Sequence, residues 1–237
     1  MKLAIHQPQY LPWLGYLAKR AAADLFVYLD TVQYEKHGWQ NRNRIKTHEG
    51  ARWLTVPVHA RLGTTIHDIT IDTRQPWRQR HRNAIEEAYR GATHGQRYRQ
   101  GLDDLYGQAW ATLVGVAIAS ADWLAAAFGI GTPTALASAF ALEADDATER
   151  LVALCQAAGA DTYLAGRDGA TYMDLRQFEK AGISVLFQRY SHPTYPQLHG
   201  NFVPSLSSLD LLLTHGHGAL DILRSGDAWS PVPPGTS

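Results

Sequence analysis

Cysteine is almost missing from this chain. Cys155 stands alone among 237 residues, which excludes an internal disulfide framework and a cysteine-rich zinc site. A single thiol suits a reducing compartment. Long apolar runs are missing too. The longest, Ala109 to Ala121, is closed by Asp122 and falls well short of the ~20 residues that span a bilayer. It reads as a buried core helix. Met1 and Lys2 precede only three apolar residues before His6, too few for the apolar region of a signal peptide, so a cytoplasmic protein is expected. The 11 histidines include no HExxH, and no carboxylate lies at ligand spacing from His215 and His217, so no metal site is expected. Net charge is zero, and nothing is basic enough to require nucleic acid. Internal repeats and low-complexity tracts are absent.

What remains has the composition of a globular protein, 45% apolar and 19% charged, and is long enough to bury a full core. The charge is unevenly spread. Residues 1–100 hold 16 of the 22 Lys+Arg and 8 of the 22 Asp+Glu, a net +8, and the rest carries −8. A basic front half suits a small-molecule substrate that is anionic or nucleotide-linked. Packing of two oppositely charged halves explains it equally well.

Lys2–Ile5 reads as a buried strand, Leu14–Ala22 as a helix with Leu14, Leu17, Ala18 and Ala21 on one side, and Leu25–Leu29 as a second apolar strand. That spacing is a βαβ unit, which forces a parallel pair with both strands ending at one sheet edge. His6, Gln7 and Gln9 follow the first strand; Asp30 and Gln33 follow the second. In open α/β sheets, ligands bind at that carboxyl edge. Trp53–Val58 and Ile66–Ile71 read as strands, Trp77–Tyr89 as a helix, Leu102–Phe128 as a long helical region, and Thr134–Leu142 as a strand. Asp146-Ala-Thr-Glu149 is a capping box opening a helix; Thr162–Ala165 and Ile183–Gln188 are strands flanking a helix over Tyr172–Lys180. The expected fold is therefore α/β, three-layered, with a mostly parallel sheet in a single domain over residues 1–228, a helical insertion around 77–128, and a flexible tail over 229–237.

Three clusters carry candidate chemistry. His6-Gln7-Pro8-Gln9-Tyr10-Leu11-Pro12-Trp13 packs amides, aromatics and a histidine between a strand and a helix, where unpaired N–H groups hold an anion or a carbonyl. His6 is the candidate acid or base, with Gln7, Gln9, Tyr10 and Trp13 as substrate-binding groups. The stretch Asp30 to Lys46 mixes amide, guanidinium and aromatic groups suited to phosphate, sugar or carboxylate; Asp30 is a second catalytic candidate, and Gln33, Lys36, Trp39, Asn41, Arg42 and Lys46 are binding candidates. Arg42 and Lys46, four apart, would share one face of a helix. A third group lies downstream: Arg167 in the glycine loop Gly166–Gly169, and Tyr195 and Gln197 beyond a strand end. A solvated helix face accounts for Arg74, Arg78, Arg80, His81 and Arg82. Ser207 as N-cap with Asp210 as its partner accounts for both without catalysis, and no nucleophile-elbow pattern supports a triad on Ser207.

The run His6 to Tyr16, then Ala23-Asp24, Asp30-x-x-Gln33-Tyr34, Trp39-x-Asn41-Arg42, Ile45-Lys46 and Trp53-Leu-Thr-Val-Pro57, with Tyr195-x-Gln197, Phe202 and Leu206 to Leu213, resembles the WbqC-like family over residues 1 to about 216. Ser208 and Thr214-His215 are mild departures. The resemblance implies the setting of bacterial O-antigen and other surface-polysaccharide gene clusters, where glycine transfer has been suggested. The expected activity is thus acyl or aminoacyl transfer to an amino sugar or similar amine, forming an amide. A looser resemblance, to nucleotidylyltransferases and adenylate-forming ligases of the pantothenate synthetase type, implies ATP as cofactor and adenylyl or nucleotidylyl transfer as the alternative. Their motif has paired histidines, where this chain has Trp13 and Gly15. A non-enzymatic sugar- or nucleotide-binding accessory protein is the third reading.

Overall fold

The structure is a computed structural model that describes residues 1–144 and 146–232. Its elements are β1 (Lys2–His6), α1 (Leu14–Ala21), β2 (Leu25–Tyr28), β3 (Arg42–Thr47), β4 (Gly50–Thr55), β5 (Val58–His59), β6 (Thr70–Ile71), α2 (Trp77–Ala88), α3 (Arg99–Gly107), α4 (Leu113–Ala127), β7 (Thr134–Leu136), α5 (Ala147–Ala157), β8 (Thr162–Ala165), α6 (Leu175–Lys180), β9 (Ser184–Gln188), α7 (Leu209–His215), α8 (Ala219–Ser225) and β10 (Trp229–Ser230).

Alternation along β1 and β2 decides the layers. Leu3, Ile5 and Val27 face a core shared with Leu151, Leu154 and Phe178 of α5 and α6. Ala4, Phe26 and Tyr28 face the opposite core, filled from α1, α2–α4, α7 and α8. Between the two layers runs a six-stranded sheet in the order β10-β9-β8-β1-β2-β7. All neighbours pair parallel except β10, which is antiparallel to β9. The expected βαβ unit is present, with Leu3 to His6 registered on Leu25 to Tyr28. The chain builds outward from β1 through β2 to β7, then returns to lay β8 on the other side of β1. The strand order therefore reverses between β1 and β8, the switch point where doubly wound sheets open a crevice at their carboxyl ends.

Several elements differ from the sequence reading. The stretch 42–47 is a strand rather than a helix or connection, and it forms a hairpin with β4 in which Arg44 faces Trp53. Arg42 and Lys46 still share a face, because four residues is also two periods of a strand. The long helical region 102–128 is broken after Gly107, and Thr112 restarts it as α4 by accepting the Gly115 N–H at 3.3 Å. Its helices pack into the larger core. Asp146 caps α5 as expected, accepting from Glu149 N at 2.8 Å. Part of the stretch expected as a loose tail is ordered. Trp229 and Ser230 pair with Gln188 and Phe187, while Pro233, Pro234 and Gly235 lie outside the described residues.

Candidate functional site

The first loop is held from every side. Tyr10 N donates to Gln40 O at 3.1 Å, Ser208 N donates to Pro12 O at 2.9 Å, and Trp13 bridges to Ser207. Leu11 adopts φ 45°, a left-handed conformation that costs a non-glycine residue about 1–3 kcal/mol. Two buried bonds hold it there: its N–H donates to Ser120 Oγ at 2.9 Å, and its carbonyl accepts from Asn43 Nδ2 at 2.7 Å. A Cβ on Gly15 would sit 2.2 Å from the Trp13 ring, so any side chain there would displace the indole from the start of α1.

The candidates of this loop divide. His6, half-buried at the end of β1, donates from Nδ1 to Gln7 O at 3.1 Å and packs edge-on against Tyr16. Burial and then the charge of Lys19 lower its pKa to about 3, so the imidazole is neutral near pH 7 and its Nε2 is a free acceptor. Gln7 Oε1 accepts from Gln40 Nε2 at 2.7 Å. The side-chain oxygens of Gln9, Gln40 and Asn41 are buried and unpartnered, an arrangement that suits a ligand rich in N–H or O–H groups. Tyr10 points elsewhere, its hydroxyl lying 2.9 Å from His81 Nδ1 and 2.5 Å from the Tyr106 hydroxyl inside the helical layer. His81 is thus buried rather than part of a solvated face. Trp13 covers Gly15 and packs on Tyr190.

Asp30 does not orient His6. It is fully buried beyond the end of β2, with Oδ1 accepting from Ser138 N at 2.9 Å and Oδ2 accepting from Ser138 Oγ at 2.7 Å. Its remaining partner is His67, whose Nδ1 lies 3.0 Å from Oδ2 while half of its side chain is exposed. A buried carboxylate therefore fixes the tautomer of an accessible imidazole and leaves Nε2 free.

Gln33 and Lys36 are exposed. Trp39 and Trp53 are both about two-fifths exposed and pack together at 5.4 Å, with the Arg42 guanidinium 4.3 Å over Trp53. Arg42 also donates to the carbonyls of Gly38 and His37. Asn41 Nδ2 donates to Val56 O at 2.9 Å. Lys46, Tyr195 and Gln197 belong to a second, buried cluster. Lys46 Nζ donates to the carbonyls of Gly200 and Asn201, and Gln197 exchanges two bonds with the Val203 backbone. Asp210 lies in that cluster, accepting from Tyr89 at 2.9 Å and from Tyr195, its pKa raised by burial. It is therefore not a capping partner of Ser207, which accepts from Leu209 N with its own Oγ. Arg167 is exposed beyond β8.

Sequence reasoning missed His67, Trp53 and Lys19. Lys19 of α1 is buried, with Nζ donating to Ile5 O at 2.8 Å. Its neighbour Arg20 is neutralised by Asp122 at 2.5 Å. The available signal was two successive charges on a short crossover helix that must lie against the sheet. Cavities of 310 to 380 Å³ open along α2 and α3, away from His6 and Asp30, with walls that include Arg82, Tyr89 and Arg99. Among the described residues no group of acidic, histidine and cysteine side chains is arranged to hold a metal ion, and no helix is long and apolar enough to cross a membrane.

Comparison with known proteins agrees with the motif resemblance. No solved structure matches the chain, so the likeness to nucleotidylyltransferases has no structural match behind it. The uncharacterized protein Rv1507c of Mycobacterium tuberculosis is 38% identical over 228 residues, covering 94% of this chain and 97% of its own length. The model of the WbqC-like protein family matches residues 7–222, from the first loop through α7 and into α8. The chain belongs to the WbqC-like protein family.

Proposed function

We propose that this protein transfers an acyl or aminoacyl group to the amine of an amino sugar or similar acceptor, with the Asp30–His67 pair as its base. The observation that carries this reading is the buried Asp30 carboxylate 3.0 Å from the Nδ1 of a half-exposed imidazole at the carboxyl edge of β2. A base oriented by a third group is the arrangement that activates nucleophiles in acyl transfer. The amine nitrogen attacks the donor carbonyl carbon, forming the C–N bond. The bond to the leaving group breaks with its electron pair, and the amine proton passes to His67 Nε2. His6, neutral and with Nε2 free, accepts a hydrogen bond from the acceptor, and Gln9, Gln40 and Asn41 offer further carbonyl oxygens to its hydroxyls. Trp39 and Trp53 present flat apolar faces to a sugar ring. Surface-polysaccharide or natural-product biosynthesis is the setting that suits such an amide.

The test is mass spectrometry of amino-sugar acceptors incubated with activated glycyl and short acyl donors. The expected result is one added acyl group per acceptor. Asp30→Asn and His67→Gln should each lower kcat by about 10²- to 10⁴-fold with KM little changed. Full turnover in both variants would overturn the assignment.

A further inference from the structure

The sheet splits where its order reverses. Pairing between β1 and β2 continues to His6 and Tyr28, whereas pairing between β1 and β8 is registered only as far as Ala4 and Leu164. Beyond that point the two strands are no longer paired, a stretch termed the β1–β8 gap, and Lys19 reaches its β1 side. Its Nζ caps the Ile5 carbonyl and lies 5.9 Å from the centre of the Tyr163 ring. The side chain is buried, and none of the described carboxylates pairs with it. An ammonium has three N–H donors, and Ile5 uses one. On the β8 side of the same gap, Gly166 has open space where a side chain would be, and Arg167 is exposed and makes no ion pair among the described residues.

A buried cation without a counter-ion is costly, and an anionic ligand beside it would relieve that cost. Lys19 differs in this from Arg20, one residue on, which already has Asp122. We propose that the gap between β1 and β8 is a phosphate subsite in which Lys19 and Arg167 hold the anionic group of a phosphate-bearing substrate. This deepens the acyl-transfer reading and rests on the same sheet edge being the site, because it makes one substrate a phosphorylated or nucleotide-linked compound. Burial lowers the Lys19 pKa to about 7, so Lys19 is only partly protonated at neutral pH. An anion arriving there favours the charged form, and binding then takes up a proton.

The experiment is isothermal titration calorimetry at pH 7 with ADP, adenosine and sulfate. No turnover is needed, so failure of acyl transfer and failure of the subsite are separately visible. ADP should bind at least tenfold more tightly than adenosine. Lys19→Met should erase that advantage, and Arg167→Gln should reduce it several-fold. Sulfate carries no titratable proton near pH 7, so titrating it in buffers of different ionisation enthalpy reports the protein's own proton uptake. Uptake is expected in the wild type and not in Lys19→Met. Equal affinity for ADP and adenosine, unchanged ADP binding in Lys19→Met, or absence of proton uptake by the wild type would each overturn the proposal. The last readout uses the unmodified protein and stands even if Lys19→Met fails to fold.

Discussion

At the scale of single residues, buried imidazoles make the fold sensitive to acid. Burial, with Lys19 adding to the effect, lowers His6 to about 3, and burial lowers His81 to about 4, from the ordinary 6.5. Between those values the unfolded chain binds more protons than the native one. The contribution is therefore complete above about pH 6.5 and is lost as pH falls toward 4 and then 3, by up to ~1.4 kcal/mol per pH unit for each group. Urea midpoints measured between about pH 4 and 6.5 should rise with pH, and His6→Gln should flatten the slope. An unchanged slope would mean that His6 stays solvated. Two residues that matter here were hidden from the sequence for different reasons. His67 stands in Ile66-His67-Asp68, which reads as part of a strand, and only the turn through Ile66–Asp68 delivers it to Asp30. Asp30 itself was legible, because a carboxylate just beyond the second strand of a βαβ unit must lie at the carboxyl edge.

Among the elements, α2 and α3 are tied to the first loop by the Tyr10, His81 and Tyr106 side chains. Tyr10→Phe would leave the shape of the core intact and strand two buried polar groups, at a cost of about 1–3 kcal/mol. Chemical denaturation should show that loss, while ADP binding should be unaffected, because the hydroxyl points away from the β1–β8 gap. A variant as stable as the wild type would show that the two partners satisfy each other. The βαβ unit, α2, α5, β8 and β9 were readable because their apolar spacing matches one period throughout. The hairpin β3–β4 was not. Arg42, Asn43, Arg44 and Lys46 are polar on both faces, and their burial comes from the first loop and the segment near Gly200 instead of from an apolar stripe.

For the molecule as a whole, the exposed edge of the sheet is closed by the short strand β10, followed by Pro231. A brief antiparallel strand ending in proline blunts an edge against pairing with other chains. Deleting residues 229–237 should lower the melting temperature and produce concentration-dependent association in light scattering as the β9 edge opens. A truncated protein that stays monodisperse with unchanged melting would show that the edge is protected in some other way. The overall three-layer plan followed from the alternation of strands and helices, but the position of β8 beside β1 did not, since strand order depends on packing between segments far apart in the chain. The strained Leu11 turn has a further consequence. Four hydrogen bonds from three separate parts of the chain fix residues 10–12 before any substrate arrives. The wall beside His6 is thus preorganised: its ordering entropy is spent during folding, which in the proposed transfer leaves little reorganisation for the moment of reaction. In that reading the adaptable side is the segment after β2, where Thr31, Gln33 and Glu35–His37 are exposed to solvent.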